Sequence, residues 1–128
     1  MKLTRILVPA VALSSAILVA GTVPALAQGG NDVRTSGTCQ GGPHWKLKAG
    51  PEDGRIEVEG EIDSNVSGQV WTWKFKHNGS VSARGTKQTG GRSGSFEVER
   101  RMANLSGKDH FVFRAEHRNQ VCRGTISY

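Results

Sequence analysis

Four histidines are the side chains of this sequence best suited to acid–base or metal chemistry: His44, His77, His110 and His117. Their spacing matches no metal-binding motif such as H-E-x-x-H. His110 and His117 are an odd number of residues apart, so they face opposite sides of a strand. The sequence also lacks a G-x-S-x-G motif and a glycine-rich phosphate loop. We therefore predict surface histidines, no catalytic residue and no enzymatic activity.

Residues 63–68 come closest to a metal-binding motif. Asp63, Asn65, Ser67 and Gly68 occupy positions 1, 3, 5 and 6 of the calcium-loop pattern. Position 12 of that pattern requires a glutamate that binds the ion through both oxygens, and this chain has Lys74 there. Because a lysine opposes cation binding, we predict a polar turn between strands, with no metal and no cofactor.

Basic side chains form the remaining candidate for a binding surface. Lys74 and Lys76 alternate with aromatic residues, so they lie on the polar face of a predicted strand. The proposed surface consists of Lys74, Lys76, Arg84, Lys87 and Arg92, and Arg100, Arg101 and Arg114 are candidates to extend it. Such a surface suits an anionic cell-wall polymer or an acidic protein. A surface that only keeps the protein in solution is the alternative.

Residues 1–27 have the three parts of an export signal. Lys2 and Arg5 precede an apolar stretch over 6–20, and Ala25-Leu26-Ala27 supplies the small residues of a cleavage site. The stretch is shorter than the about 20 residues of a transmembrane helix. We predict a secreted, extracellular protein of 101 residues, with no membrane association after cleavage. Cleavage lowers the formal net charge from +6 to +4, and acidic and basic residues are interleaved, which argues against a nucleic-acid partner.

The two cysteines, Cys39 and Cys122, are the only ones in the chain. In an oxidising compartment a lone pair of cysteines is expected to form one disulfide. They are too far apart in sequence for a C-x-x-C redox site. We predict a structural cross-link that spans nearly the whole mature chain.

The mature chain alternates apolar and polar residues, which predicts β-strands rather than helices. Residues 28–38 are rich in Gly, Asn, Thr and Ser, so we expect a flexible lead-in followed by one β domain over 39–128. Seven short strands predict an immunoglobulin-like β-sandwich, and a small barrel is the alternative. Trp71 or Trp73 is the expected aromatic centre of its core.

Three hairpins follow from turn signals, and we choose their registers so that apolar faces stay together. The turn of the first is expected over 50–54. In the second, Asn78-Gly79 is expected to open a three-residue loop with a bulge. The third turns at Arg118-Asn119. The cross-strand pairs expected are Lys46–Glu59, Lys48–Glu57, Trp73–Ala83, Phe75–Val81, Ala115–Cys122 and Phe111–Ile126.

Four segments of the mature chain carry a resemblance to known proteins. Residues 39–48 (CQGGPHWKLK), 84–86 (RGT), 93–98 (SGSFEV) and 121–125 (VCRGT) resemble small exported proteins of actinobacteria. The resemblance implies an immunoglobulin-like fold and an exported location. Those proteins have no assigned activity, so the resemblance implies no functional residue.

These observations favour a binding protein over an enzyme. We predict a secreted immunoglobulin-like binding module, whose partner is an unknown protein or a component of the cell envelope. The glycine-rich segment over 89–94 is expected to form an exposed loop of this module. The alternative is a small secreted inhibitor of an extracellular enzyme.

Overall fold

The computed structural model describes residues 31–128, so the predicted export signal over 1–27 lies outside the described residues. The described part of the chain is all-β. Its eight strands are β1 (Val33–Thr38), β2 (His44–Glu52), β3 (Arg55–Asp63), β4 (Val70–His77), β5 (Ser80–Gln88), β6 (Ser95–Met102), β7 (His110–His117) and β8 (Gln120–Ser127). Within residues 31–128, no helix is long and apolar enough to cross a membrane.

The strands form two antiparallel four-stranded sheets around one core. Sheet A has the order β1-β2-β3-β6, and sheet B has the order β5-β4-β7-β8. Strands β3 and β4 alternate buried side chains with partly or fully exposed ones, as in a sheet with one face on a core and one in solvent. The architecture is therefore that of a β-sandwich.

The structure has eight strands where seven were expected, and the additional strand is β1, the first in the chain. It lies within the predicted lead-in over 28–38 and pairs with β2 from Val33–Ala49 to Thr38–His44. Its sequence, VRTSGT, has no apolar alternation to reveal it. Backbone pairing holds it instead, together with the Thr35 hydroxyl, which donates to the Thr125 carbonyl of β8 at 3.2 Å.

The core confirms the apolar faces inferred from alternation. The side chains of Trp71, Phe75 and Phe113 are fully buried, and Trp73 is nearly so. Phe75 and Phe113 pack with ring centroids 5.1 Å apart. A Cβ atom on Gly60 would lie 2.8 Å from the Phe113 ring, so the absence of a side chain at this position leaves room for the ring between the sheets.

The β2–β3 hairpin differs from the expected register by two residues. The structure pairs Lys48 with Glu59 rather than with Glu57, and Lys46 with Glu61. The loop contains only Asp53 and Gly54, both with positive φ (49° and 77°), as in a tight two-residue hairpin turn. The strand thus continues through residues 50–52, which the sequence analysis assigned to the turn.

The β4–β5 hairpin has a different loop from the one expected, and Val81, which was expected opposite Phe75, lies opposite Lys76 with its side chain exposed. Asn78 and Gly79 form a two-residue loop, and the bulge lies further along, where Phe75 pairs with Ala83 and Lys76 with Val81. Trp73 therefore lies opposite Gly85 instead of Ala83. A bulge at this point restores the inward face that a strict two-residue hairpin would lose.

The β7–β8 register and the disulfide agree with the sequence analysis. Ala115 pairs with Cys122, and Phe111 pairs with Ile126. The sulfur atoms of Cys39 and Cys122 lie at bonding distance, and both residues are buried. The bond joins the β1–β2 connection to β8, so it links the two sheets across 83 residues of sequence.

Candidate functional site

The outer face of sheet B carries four cations in one row across the strands. Arg84 of β5 is paired with Lys74 of β4, Lys74 with Arg114 of β7, and Arg114 with Arg123 of β8. Paired residues of antiparallel strands point to the same side of a sheet. The row therefore crosses all four strands at a single level, with neighbouring strands about 4.8 Å apart. We call these four residues the cationic row.

The row is electrostatically unfavourable for the isolated protein, because like charges directly opposite each other destabilise a sheet. Among residues 31–128, Arg114 is the only member of the row with an ion pair, from its Nε to Glu116 Oε1 at 2.6 Å. On sheet A, in contrast, lysines lie opposite acidic residues. There Lys48 is paired with Glu59, and Lys48 Nζ lies 3.2 Å from Glu59 Oε2.

Two parallel rows flank the cationic row on the same face. On one side Thr86 is paired with Thr72, and Thr72 with Glu116. On the other side lies Lys76, paired with Val112. A groove of about 440 Å³ lies beside the cationic row; three members of the row line it, together with both threonines and Glu116. The face therefore combines positive charge with hydroxyl groups.

Three of the five basic residues named from sequence lie together on this face: Lys74, Lys76 and Arg84. Lys87 is paired with the buried Trp71, so it leaves β5 on the opposite side, at the exposed edge of the sandwich. Arg92 is exposed in the turn between β5 and β6. The structure thus places Lys87 and Arg92 off the outer face of sheet B.

The candidates for extending the surface also divide. Arg114 belongs to the cationic row, whereas Arg101 binds Glu52 on the other sheet. The Arg100 guanidinium lies 4.9 Å from the ring centroid of Trp73, a cation–π contact at the edge between β5 and β6. Trp73 Nε1 is buried and makes no hydrogen bond in the described structure.

Arg123 is the member of the row that the sequence analysis did not name. The expected pairing of Ala115 with Cys122 already implied that Arg114 lies opposite Arg123. What the sequence did not show is that β7 pairs with β4, its neighbour in space but not in sequence. That contact joins the two hairpins and makes one row out of two pairs.

The outer face of sheet A carries the opposite sign along β3 and β6. Glu59 is paired with Glu99, and Glu61 with Glu97. Burial, and then the charges of Glu59 and Glu61, raise the pKa of Glu97. A hydrogen bond that the protonated Glu99 carboxyl donates to Glu57, followed by burial, raises the pKa of Glu99. These carboxyl groups relieve their mutual repulsion by holding protons more tightly.

The raised pKa of Glu97, caused first by burial and then by its acidic neighbours, predicts how stability depends on pH. The folded-state pKa of Glu97 lies above its ordinary value of 4.5, so its stabilising contribution is present below pH 4.5 and is lost as pH rises through the folded pKa. Glu97→Gln is therefore expected to raise the melting temperature at pH 7 and to flatten its increase as the pH falls toward 4.5. Thermal unfolding at several pH values measures both effects.

Glu116→Gln is the matched control for this prediction, because Glu116 pairs with Arg114 and not with another carboxylate. It removes one negative charge from the other sheet and is not expected to raise the melting temperature. Equal melting temperatures for the wild type and Glu97→Gln throughout this pH range would contradict the prediction.

Carboxylates also approach one another closely enough to be considered as metal ligands. Oxygens of Glu59, Glu97 and Glu99 lie within 4.8 Å of one another, as do those of Glu52, Glu57 and Glu99. In the turn at 63–68, Asp63 Oδ1 accepts from the Asn65 backbone N–H at 3.2 Å, and the Ser64 and Ser67 hydroxyls donate to carbonyls of the 89–94 segment. These contacts are consistent with the polar turn expected there.

Three histidines have polar partners that the sequence did not reveal, and that of His117 is the Val70 carbonyl oxygen, 2.7 Å from its Nδ1. His77 Nε2 lies 2.6 Å from Oδ1 of the buried Asp109, which also accepts from the Leu105 backbone N–H. His110 Nδ1 lies 3.0 Å from the Ser127 hydroxyl. The Asp109 carboxylate and the Ser127 hydroxyl thus contact two different histidines, His77 and His110. The contact between His77 and Asp109 anchors the β6–β7 connection to the end of β4, which is a structural role.

No protein-family model, curated protein or solved structure matches this chain. The chemistry of the two outer faces is therefore the basis for proposing a function.

Proposed function

We propose that this protein is an exported binding module that recognises an anionic partner through the outer face of sheet B. The observation that carries the proposal is the cationic row, in which Arg84, Lys74, Arg114 and Arg123 lie side by side. A bound anion would neutralise the repulsion among them. Binding would therefore gain the electrostatic stability that the free sheet lacks.

A surface that only maintains solubility does not account well for this arrangement. Solubility requires net charge but does not require like charges in register, each pair of which costs up to about 1 kcal/mol. Interspersed charges would serve it equally well, as with Lys48 and Glu59 on sheet A. The alignment of the row therefore favours a ligand.

The strand order supports an immunoglobulin-like topology for this module. In that fold, chain crossings between the sheets make the second and fifth strands neighbours in one sheet, and the third and sixth in the other. Here the corresponding pairs are β3 with β6, at the edge of sheet A, and β4 with β7, at the centre of sheet B. β1 would then be an additional strand at the edge of sheet A.

Two features support an exported location. Residues 1–27 have the composition of a signal peptide, and the sandwich is cross-linked by the Cys39–Cys122 disulfide. Disulfides of this structural type persist in oxidising compartments. An extracellular module would meet the anionic components of the cell envelope or acidic secreted proteins.

The proposal is tested by locating a bound anion on the protein. Tripolyphosphate, a small and strongly charged probe, is titrated into isotope-labelled protein while backbone amide resonances are followed. We expect saturable shifts at the outer-face positions around Lys74 and Arg114, and none around Glu59 and Glu97. Shifts that do not saturate, or that scatter over both sheets, would contradict the proposal.

A further inference from the structure

The shape of the charged site indicates which kind of anion it suits. Its four cations lie in a line that runs across the strands, from Arg84 at one edge of sheet B to Arg123 at the other. Three strand spacings of about 4.8 Å make this line about 14 Å long. A small anion contacts one or two members of such a line, whereas an extended chain contacts all four.

The rows beside the line add a second requirement. Thr72 and Thr86 lie opposite each other, and Glu116 continues their row on β7. Threonine hydroxyls donate and accept hydrogen bonds, and the Glu116 carboxylate accepts them. These groups suit a ligand that carries hydroxyl groups next to its charges.

We propose, on the basis of the function proposed above, that the ligand is a linear hydroxyl-bearing polyanion that lies across the strands of sheet B. Its negative charges contact the cationic row, and its hydroxyl groups contact Thr72, Thr86 and Glu116. Two kinds of polymer have this chemistry: polyol phosphates, whose charges are phosphodiesters, and acidic glycans, whose charges are carboxylates.

The first test compares polymers with their repeating units. Poly(glycerol phosphate) and polygalacturonate are titrated beside glycerol phosphate and galacturonate at equal concentrations of charge. We expect at least one polymer to bind at least about 30-fold more tightly than its unit, because only the chain spans the row. The preferred polymer identifies phosphodiester or carboxylate as the charge.

The salt dependence of polymer binding measures how many charge contacts the ligand makes with the cationic row. Four neutralised charges predict that the logarithm of the binding constant falls with the logarithm of salt concentration with a slope of about −3. Arg84→Gln is expected to reduce this slope by about 1. Lys87→Gln, on the same strand but on its other side, is the matched control and should leave the slope unchanged.

Lys76→Gln distinguishes the direction of the chain. Lys76 shares the face with Lys74 but lies along β4 rather than in the row. A polymer across the strands predicts a smaller loss of affinity for Lys76→Gln than for Arg84→Gln. The reverse order would show a polymer that runs along the strands and would overturn this inference.

The other outcomes also separate the two proposals. Binding of tripolyphosphate at the row without tighter binding of either polymer would overturn the polymer and leave the anion-binding function standing. A second copy of the protein is the alternative partner, because the glutamates on its β3 and β6 have the charge to contact the cationic row of the first copy. Salt-sensitive self-association in sedimentation, abolished by Arg84→Gln and not displaced by polymer, would overturn the inference in favour of that copy.

Discussion

Replacing both Cys39 and Cys122 with alanine is expected to lower the free energy of unfolding by about 2–5 kcal/mol. The bond closes a loop of 83 residues, so its loss releases a large conformational freedom in the unfolded chain. It also frees the β1–β2 connection from β8, where Gln40 N–H donates to the Val121 carbonyl at 3.0 Å. Total stabilities of small domains are about 5–15 kcal/mol, so this loss is a large fraction.

Urea unfolding of the oxidised wild type, the reduced wild type and the double alanine variant measures this effect. Reduction keeps both sulfur atoms in place, whereas the alanine variant also removes their packing in the core. We expect the midpoint to fall by about 1–2 M on reduction and at least as far in the variant. Equal midpoints before and after reduction would contradict a stabilising role for the cross-link.

Much of the β-sandwich follows from local sequence pattern. Alternation placed Trp71, Phe75 and Phe113 on buried faces, because one face of each strand must exclude water. The β7–β8 register also followed, because a two-residue turn at Arg118-Asn119 fixes the alignment and keeps Cys122 and Ile126 with the core. These properties depend on neighbouring residues and one hairpin at a time.

The errors arose where backbone geometry outweighs the side-chain pattern. The turn at Asp53 and Gly54 is tighter than the glycine and proline around it suggested, so the β2–β3 register moved by two residues. Strand β1 has no apolar face and pairs only as an edge strand. A bulge beside Phe75 changes the register of the β4–β5 hairpin, an effect that was expected from a longer loop.

The candidate site was only half predictable for a related reason. Lys74 and Arg84 share one hairpin, so their proximity follows from its turn. Arg114 and Arg123 share another. The row exists because β4 and β7 pair across a chain crossing, and long-range pairing of this kind leaves no signal in the local sequence.

The charge-reversal variant Lys74→Glu/Arg123→Glu is expected to abolish anion binding while making the protein more stable. The row then alternates in sign across the four strands, because Arg84 and Arg114 remain. Three unfavourable cross-strand contacts become favourable, each worth a few tenths of a kcal/mol to about 1 kcal/mol. A rise in melting temperature would show that the loss of binding does not come from unfolding.

The control for this variant is Lys87→Glu/Lys108→Glu, which makes the same change in net charge at two exposed positions outside the cationic row, on β5 and in the β6–β7 connection. If binding depended on net charge alone, the two variants would lose equal affinity. A site in the cationic row predicts that the control loses less than about tenfold, since long-range attraction is screened within about 10 Å.

The most direct measurement is a calorimetric titration of the preferred polymer, or of tripolyphosphate, into the wild type and both double variants under identical salt conditions. The proposed function predicts a loss of at least about 100-fold in affinity for Lys74→Glu/Arg123→Glu, about 2.8 kcal/mol of binding free energy, and near wild-type binding for the control. Equal affinities for the two variants would contradict an anion site at the cationic row.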